Sequence, residues 1–181
     1  LRAADPSRDH SQVQGERPAE LGRLISEAAV RRVGNLVADA VAKGARMLVG
    51  GDAAGSVMQP VVLDRVSSNM AIFHEESFGP VASVMRVRDE EEALSIANDT
   101  AFGLSAAIFS RDEKRALALA AKLECGIVQV NGPTVYDDPS MPFGGMKASG
   151  HGRFGDAAAI AEFTELRWLC VHDNSHVLPF R

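Results

Sequence analysis

The sequence predicts an α/β fold: a parallel sheet covered by helices, with one further strand at the C-terminal edge. Extended apolar runs alternate with stretches of helical spacing along most of the chain, the order that feeds parallel strands through helical crossovers. Glycine or proline stands at several of the junctions between them. The composition, 46% hydrophobic and 24% charged over 181 residues, supports a real core. A chain of this length removes roughly 70% of its unfolded surface from water on folding.

Residues 1–24 mix Arg, Asp, Glu, Gln, Pro and Ser with little apolar spacing, which predicts a polar loop or tail. A helix is expected next. Val30, Val33, Val37 and Val41 recur every three or four residues, Ser26 can cap the first turn, Glu27 suits the positive end of the helix dipole, and Gly44 can end it. Residues 46–49 form a short apolar run bounded by Gly50 and Gly51 and read as a buried strand, whereas residues 59–73 are apolar with no single period. A second strand is expected at 81–87 behind Gly79 and Pro80, then a short helix capped by Asp89 and running to Ala97, then a third strand at 104–109.

Ser110 and Glu113 have the spacing of a capping box. Ala116, Leu117, Ala120 and Leu123 give the helix that follows its inner face, Gly126 closes it, and residues 127–130 are a fourth strand. From Asn131 to Gly155 the periodicity is lost, and structureless stretches of this length usually carry function. A helix is expected over 156–163. Beyond it Leu166, Trp168, Cys170 and His172 alternate with Arg167, Leu169 and Val171, the pattern of an exposed edge strand that seeks a partner.

Nineteen Lys and Arg against 24 Asp and Glu leave a formal charge of −5 with no long basic run, so nucleic acid is not an expected partner. No apolar run approaches the roughly 18 to 20 residues of a membrane span. The polar N-terminal stretch does not read as a signal peptide. Cys125 and Cys170 are too few and too far apart for a disulfide framework or zinc cluster, and His10, His74, His151, His172 and His176 lack metal-ligand spacing. A cytoplasmic protein without a metal site is therefore expected. The first residue, Leu1, suggests processing or a piece of a longer reading frame.

Three glycine-rich signals could carry chemistry. The run GGMKASG lacks the Gly-Lys-Ser/Thr order of a phosphate loop, because Met146 precedes Lys147 and Ala148 follows it. Gly150, Gly152 and Gly155 fit G-x-G-x-x-G, with Asp173 further on, but Pro142, Phe143, Gly144 and Gly145 occupy the place of the required strand. The third signal pairs Phe143-Gly144-Gly145 with Glu75-Glu76-Ser77-Phe78-Gly79-Pro80. A carboxylate there can accept both hydroxyls of a ribose and a ring can pack on a flat heterocycle; equally, the glutamates can be merely solvated and Phe78 part of the core. Cys125 sits beside Glu124 where a helix is expected to end, which disfavours a thiolate. Cys170, alternating with Trp168, reads as packing or interface.

These segments resemble the C-terminal part of the aldehyde dehydrogenase family. Glu75 to Val81 is similar to its E-E-x-F-G-P-V motif, Asn98 to Gly103 to its N-x-T-x-x-G-L element, Gly126 to Asn131 to G-x-V-x-V-N, and Pro142 to Arg153 to P-F-G-G-x-K-x-S-G-x-G-R. They occur in the family's order over residues 21–172. The run VNGPTVYDDPSMPFGG and the ending EFTELRW most resemble members acting on aromatic aldehydes, the salicylaldehyde and vanillin group. Arg23, where Pro is common, and Phe154, where Glu usually follows Gly-Arg, depart from the pattern.

The resemblance implies NAD- or NADP-dependent oxidation of an aldehyde to its acid through a thiohemiacetal and a thioester. It implies that Glu76 holds the nicotinamide-side ribose and Phe78 packs near the nicotinamide. Phe143 would line the substrate tunnel, with Val135 and Tyr136 in the loop that shapes its mouth. It divides the chain into a tail at 1–24, a partial catalytic domain at 25–163, and an oligomerisation strand and tail at 164–181, with Leu166 to His172 joining a neighbouring subunit of a homo-oligomer. It assigns no catalytic residue to this chain: the family's nucleophilic cysteine, oxyanion asparagine, general-base glutamate and Rossmann domain belong upstream. The isolated chain is then expected to be inactive. The alternatives are a non-catalytic truncated paralogue acting as an interaction module, and an independent dinucleotide-binding module built on Gly150 to Gly155.

Overall fold

The computed structural model describes residues 21–172, so the expectations for the first 20 residues, His10, Asp173 and His176 lie outside the described residues. The chain divides into two compact units, Leu1–Ala93 and Leu94–Arg181.

In the first unit the order is α1 (Glu27–Ala42), β1 (Arg46–Val49), β2 (Ala53–Ala54), β3 (Val57–Met58), β4 (Val61–Asp64), α2 (Ala71–His74) and β5 (Val81–Val84). Ser26 caps α1, its side chain accepting a hydrogen bond from the Ala29 amide at 3.1 Å. The helix buries Val30, Val33, Leu36, Val37 and Ala40. The expected stripe is thus displaced at its end, where Val41 is exposed and Ala40 takes its place. This face packs with Met58, Val61, Leu63, Val66, Met70 and Ile72 into one core.

The sheet order is β1-β4-β5, with β1 antiparallel and β5 parallel to the central β4. The expectation of a purely parallel sheet is corrected here, and the connections give the reason. From β1 to β4 the chain passes only through the β2–β3 hairpin and returns antiparallel; from β4 to β5 it passes through α2 and comes back parallel. Strand β4 lies in the stretch that showed no period. Val61, Leu63 and Asp64 are buried and Val62 is half-buried, and a strand covered on both faces has no clear alternation to display. Conversely β1, expected to be buried, is the exposed edge.

Asp64 is the one charged residue among the buried side chains described, 5% exposed. Arg86 grips its carboxylate from Nε at 3.0 Å and Nη2 at 2.7 Å, and the Arg65 amide donates at 2.9 Å. The Arg86 hydrogen bonds hold the Asp64 carboxyl below its ordinary range. A carboxyl whose native pKa is depressed stabilises the fold above the unfolded value, about pH 4, and that contribution vanishes as the pH falls through the lower native value. Urea midpoints recorded across this acid range should fall in the natural chain. Asp64→Asn should be less stable at neutral pH and show a shallower acid limb; an unchanged limb would count against this pairing.

Helix α3 (Glu90–Asn98) follows, Asp89 accepting from the Glu92 amide at 2.9 Å as expected. The second unit continues with β6 (Phe102–Gly103), β7 (Ser105–Ile108), α4 (Glu113–Ala120), β8 (Ile127–Val130), β9 (Met146–Lys147) and α5 (Asp156–Glu162). Strands β7 and β8 are parallel across the α4 crossover, and β6 pairs antiparallel with β9. Helix α4 is capped by Asp112, which accepts from the Arg115 amide at 3.0 Å, rather than by a Ser110 box. Ser110 is held elsewhere: the Asn131 side chain accepts from its amide at 2.8 Å and donates to its carbonyl at 2.9 Å, tying the ends of β7 and β8 together. Only Ala116 of the predicted inner face is buried; Leu117 is exposed.

Residues 166–172, expected as an edge strand, contain no strand. A strand exists only as half of a ladder, and none of the described strands pairs with them. Their apolar side chains face solvent, Trp168 at 90%. No helix among the described residues is long and apolar enough to cross a membrane, and none of their His, Cys, Asp and Glu side chains form a group of three fit to hold a metal.

Candidate functional site

In the first unit the segment Glu75 to Pro80 crosses the outside of α1. Its start is tied to α2, the Glu75 amide donating to the Ala71 carbonyl at 3.0 Å, and its end to β4, where Val61 donates to Pro80 at 2.8 Å. Between these anchors the Arg32 guanidinium donates from Nη1 to the Glu76 carbonyl at 3.0 Å and from Nη2 to the Ser77 carbonyl. One residue along α1, the fully buried Val33 packs under Gly79. A Cβ on Gly79 would lie 2.8 Å from Val33 Cγ2, so the backbone can approach the helix this closely only without a side chain.

The clamp has a consequence for the side chains. Phe78 takes φ +45°, a left-handed conformation that a bulky residue adopts only when its surroundings impose it. Its ring is 79% exposed and the neighbouring Glu76 is exposed too. The reading of Phe78 as core is therefore corrected. A charged acceptor and a flat apolar face stand two residues apart on a fixed backbone, which suits a vicinal diol and a planar heterocycle. An acceptor beside an apolar face is chemistry that would fit the ribose and nicotinamide of NAD or NADP.

In the second unit the long loop is an ordered network. The amides and carbonyls of Phe143 and Phe154 exchange two hydrogen bonds of 2.7 Å, an isolated antiparallel bridge. This bridge uses backbone alone, which explains why Phe can stand at 154. Arg153 Nη1 donates to the Gly145 carbonyl at 2.9 Å and the Gly152 carbonyl at 2.7 Å. Lys147 Nζ donates to the Asn98 and Thr100 carbonyls at 2.7 and 3.2 Å and pairs with Glu124 at 2.7 Å. The Asn98 side chain donates to the Lys122 carbonyl at 2.9 Å and accepts from the Glu124 amide at 3.0 Å. The Asn, Lys and Arg of these motifs are thus spent on holding the loop. Lys147 and Arg153 are fastened, not poised for chemistry.

Among the residues this network leaves outward are three large apolar ones, Val135, Tyr136 and Phe143. Tyr136 sits in a turn closed by its amide to the Pro133 carbonyl at 3.2 Å. Gly150, Gly152 and Gly155 lead into α5, but the preceding strand β9 is antiparallel to β6, so the strand-crossover-helix frame of a dinucleotide fingerprint is missing.

Cys125 is half-buried, and its thiol donates to the Ile127 carbonyl at 3.3 Å. Burial pushes its pKa up. Burial thus disfavours the thiolate, a different cause from the one expected: α4 ends at Ala120, and Glu124 is paired with Lys147. Cys170 is exposed, its sulfur 3.4 Å from His172 Nε2. Arg32 is the residue that sequence reasoning missed. Its partners are backbone carbonyls, which leave no mark in a sequence.

A sequence profile described as the aldehyde dehydrogenase family matches residues 9–169. The vanillin dehydrogenase of Pseudomonas fluorescens is 51% identical over 179 residues, which cover 99% of this chain and 36% of that protein. A crystal structure of a salicylaldehyde dehydrogenase from Pseudomonas putida G7 complexed with salicylaldehyde superposes with a TM-score of 0.82 at 44% identity, covering 87% of this chain and 33% of that one. An aldehyde dehydrogenase of Mycobacterium tuberculosis complexed with NAD+ gives 0.76 at 34% identity, covering 81% and 31%. The chain therefore spans about a third of the length of the proteins it matches.

Proposed function

The chain belongs to the aldehyde dehydrogenase family, and on that premise we propose that it supplies the coenzyme-ribose contact and part of the substrate lining of an NAD(P)-dependent enzyme oxidising an aromatic aldehyde to its acid. The observation that carries this reading is the clamped segment presenting Glu76 and Phe78 outward. In it, Glu76 accepts hydrogen bonds from the two ribose hydroxyls, which orients the ring they carry. Phe78 offers that ring an apolar face, made rigid by the Arg32 and Val33 contacts beneath it. When bound, the coenzyme supplies the hydride acceptor. Val135, Tyr136 and Phe143 exclude water and favour a flat apolar substrate, in keeping with the likeness to vanillin and salicylaldehyde dehydrogenases.

In this reading Cys125 does not furnish the nucleophile. Acyl transfer through sulfur needs an activated thiolate, and burial disfavours that state at Cys125. We place the thiolate, its oxyanion donors and the general base in sequence outside this chain. Residues 25–163 then form one portion of the catalytic domain. The exposed alternating side chains of 166–172 form the strand that pairs with another subunit of a homo-oligomer.

Joining this chain to the remaining two thirds of the Pseudomonas fluorescens relative tests the reading. The joined protein should reduce NAD or NADP with vanillin, while the chain alone produces no reduced coenzyme with any aldehyde. Turnover by the chain alone, or a folded joined protein that binds coenzyme without oxidising aldehydes, would contradict it.

A further inference from the structure

We infer that Arg32 is a positioning residue for the coenzyme site: it fixes the Glu76 backbone, and through it the carboxylate that receives the ribose. The inference rests on the role proposed above for Glu76. Four features carry it. Arg32 lies on the exposed side of α1, next to the fully buried Val33, so its Cα is held by the core while its head is free to reach outward. The guanidinium spans two consecutive carbonyls, Glu76 and Ser77, a planar fork meeting two acceptors. Among the described residues no carboxylate pairs with Arg32, while its neighbour Arg31 pairs with Glu27. Finally, the residue next in the segment, Phe78, holds a strained φ of +45° that hydrogen bonds to its two predecessors help maintain.

This arrangement separates positioning from mere stability. The core under the segment is closed by Val33 and Gly79 whether or not the guanidinium is present. Loss of Arg32 should therefore free the Glu76 to Phe78 backbone without unfolding the unit. Glu76 then spends part of its time away from the ribose, and coenzyme affinity falls while handling of the aldehyde changes little.

The test uses the joined enzyme, with calorimetric titration of NAD or NADP as the binding readout beside steady-state kinetics and melting curves. Arg32→Met should raise the coenzyme dissociation constant and KM by about tenfold, the order expected for losing charge-assisted hydrogen bonds. The KM for aldehyde at saturating coenzyme should stay within about twofold. Arg32→Lys, which keeps the charge and one contact, should recover part of the loss. In a Glu76→Gln background Arg32→Met should add less than about twofold, because it acts through that carboxylate.

An unchanged dissociation constant in Arg32→Met, with Glu76→Gln weakened, would overturn the positioning role and leave the coenzyme reading standing. A melting temperature that drops with unaltered coenzyme binding would likewise make Arg32 structural only. Absence of any effect in Glu76→Gln would instead remove the reading on which the inference rests. Should Arg32→Met fail to fold, Arg32→Lys decides alone: normal coenzyme binding in it overturns the proposal.

Discussion

Gly126→Ala breaks the second unit, lowering its stability by about 3 kcal/mol or more. The methyl group would be built 1.7 Å from the Gly144 carbonyl oxygen and 2.8 Å from its carbon, so it meets backbone rather than a side chain that can swing away. Neither partner can retreat. The Gly126 amide donates to Gly103 at 3.0 Å and the Ile127 amide to Leu104 at 3.0 Å, and β8 is zipped to β7 immediately after. Across the contact, Phe143 is paired with Phe154 and the Gly145 carbonyl is held by Arg153. Relief requires parting two backbone segments that their hydrogen bonds hold together. Gly34→Ala is the matched control, since nothing lies within 4 Å of its added carbon. In the middle of α1 it should stabilise by up to about 1 kcal/mol. Chemical denaturation of both variants checks the contrast, and equal midpoints would show that the close approach is not maintained in solution.

Glu76→Gln is the second large effect, and it falls on ligand binding rather than on the fold. Glu76 is exposed, and the clamp from Arg32 reaches its carbonyl, not its carboxylate, so the substitution leaves the segment's anchors intact. What it removes is a charged acceptor for two hydroxyl donors. Hydrogen bonds to a charged group contribute about 1.5 to 3 kcal/mol each, so coenzyme affinity should fall by about tenfold or more. The melting temperature without coenzyme should hardly move.

Much of this was legible before the structure, and the pattern of success follows the physics. Helix α1 lies where periodicity placed it, because one face meets the core and the other meets solvent, and β8 lies where the stop at Gly126 and the short apolar run placed it, with all four of its residues half-buried. Strand β4 was invisible for the opposite reason, being covered on both faces. The parallel expectation failed at β1, where a hairpin replaces the crossover helix that parallel pairing requires. The capping residue of α4 was misassigned to Ser110, whose hydroxyl accepts from the Asp112 amide instead and whose backbone is held by Asn131 from the far end of β8, a contact that local spacing cannot express. At the candidate site the motifs singled out Glu76, Phe78 and Phe143, which the structure leaves exposed, whereas the guanidinium that clamps Glu76 and the hydrogen bonds that fasten Lys147 run to main-chain oxygens and had no sequence signature.

The most direct measurement is a coenzyme titration of the joined enzyme carrying the natural Glu76 or Glu76→Gln, followed by calorimetry and by the KM values of both substrates. The account predicts a coenzyme dissociation constant and KM raised about tenfold or more, with the aldehyde KM within about twofold of the parent. Coenzyme binding left unchanged by the substitution, in a protein that melts like its parent, would contradict it.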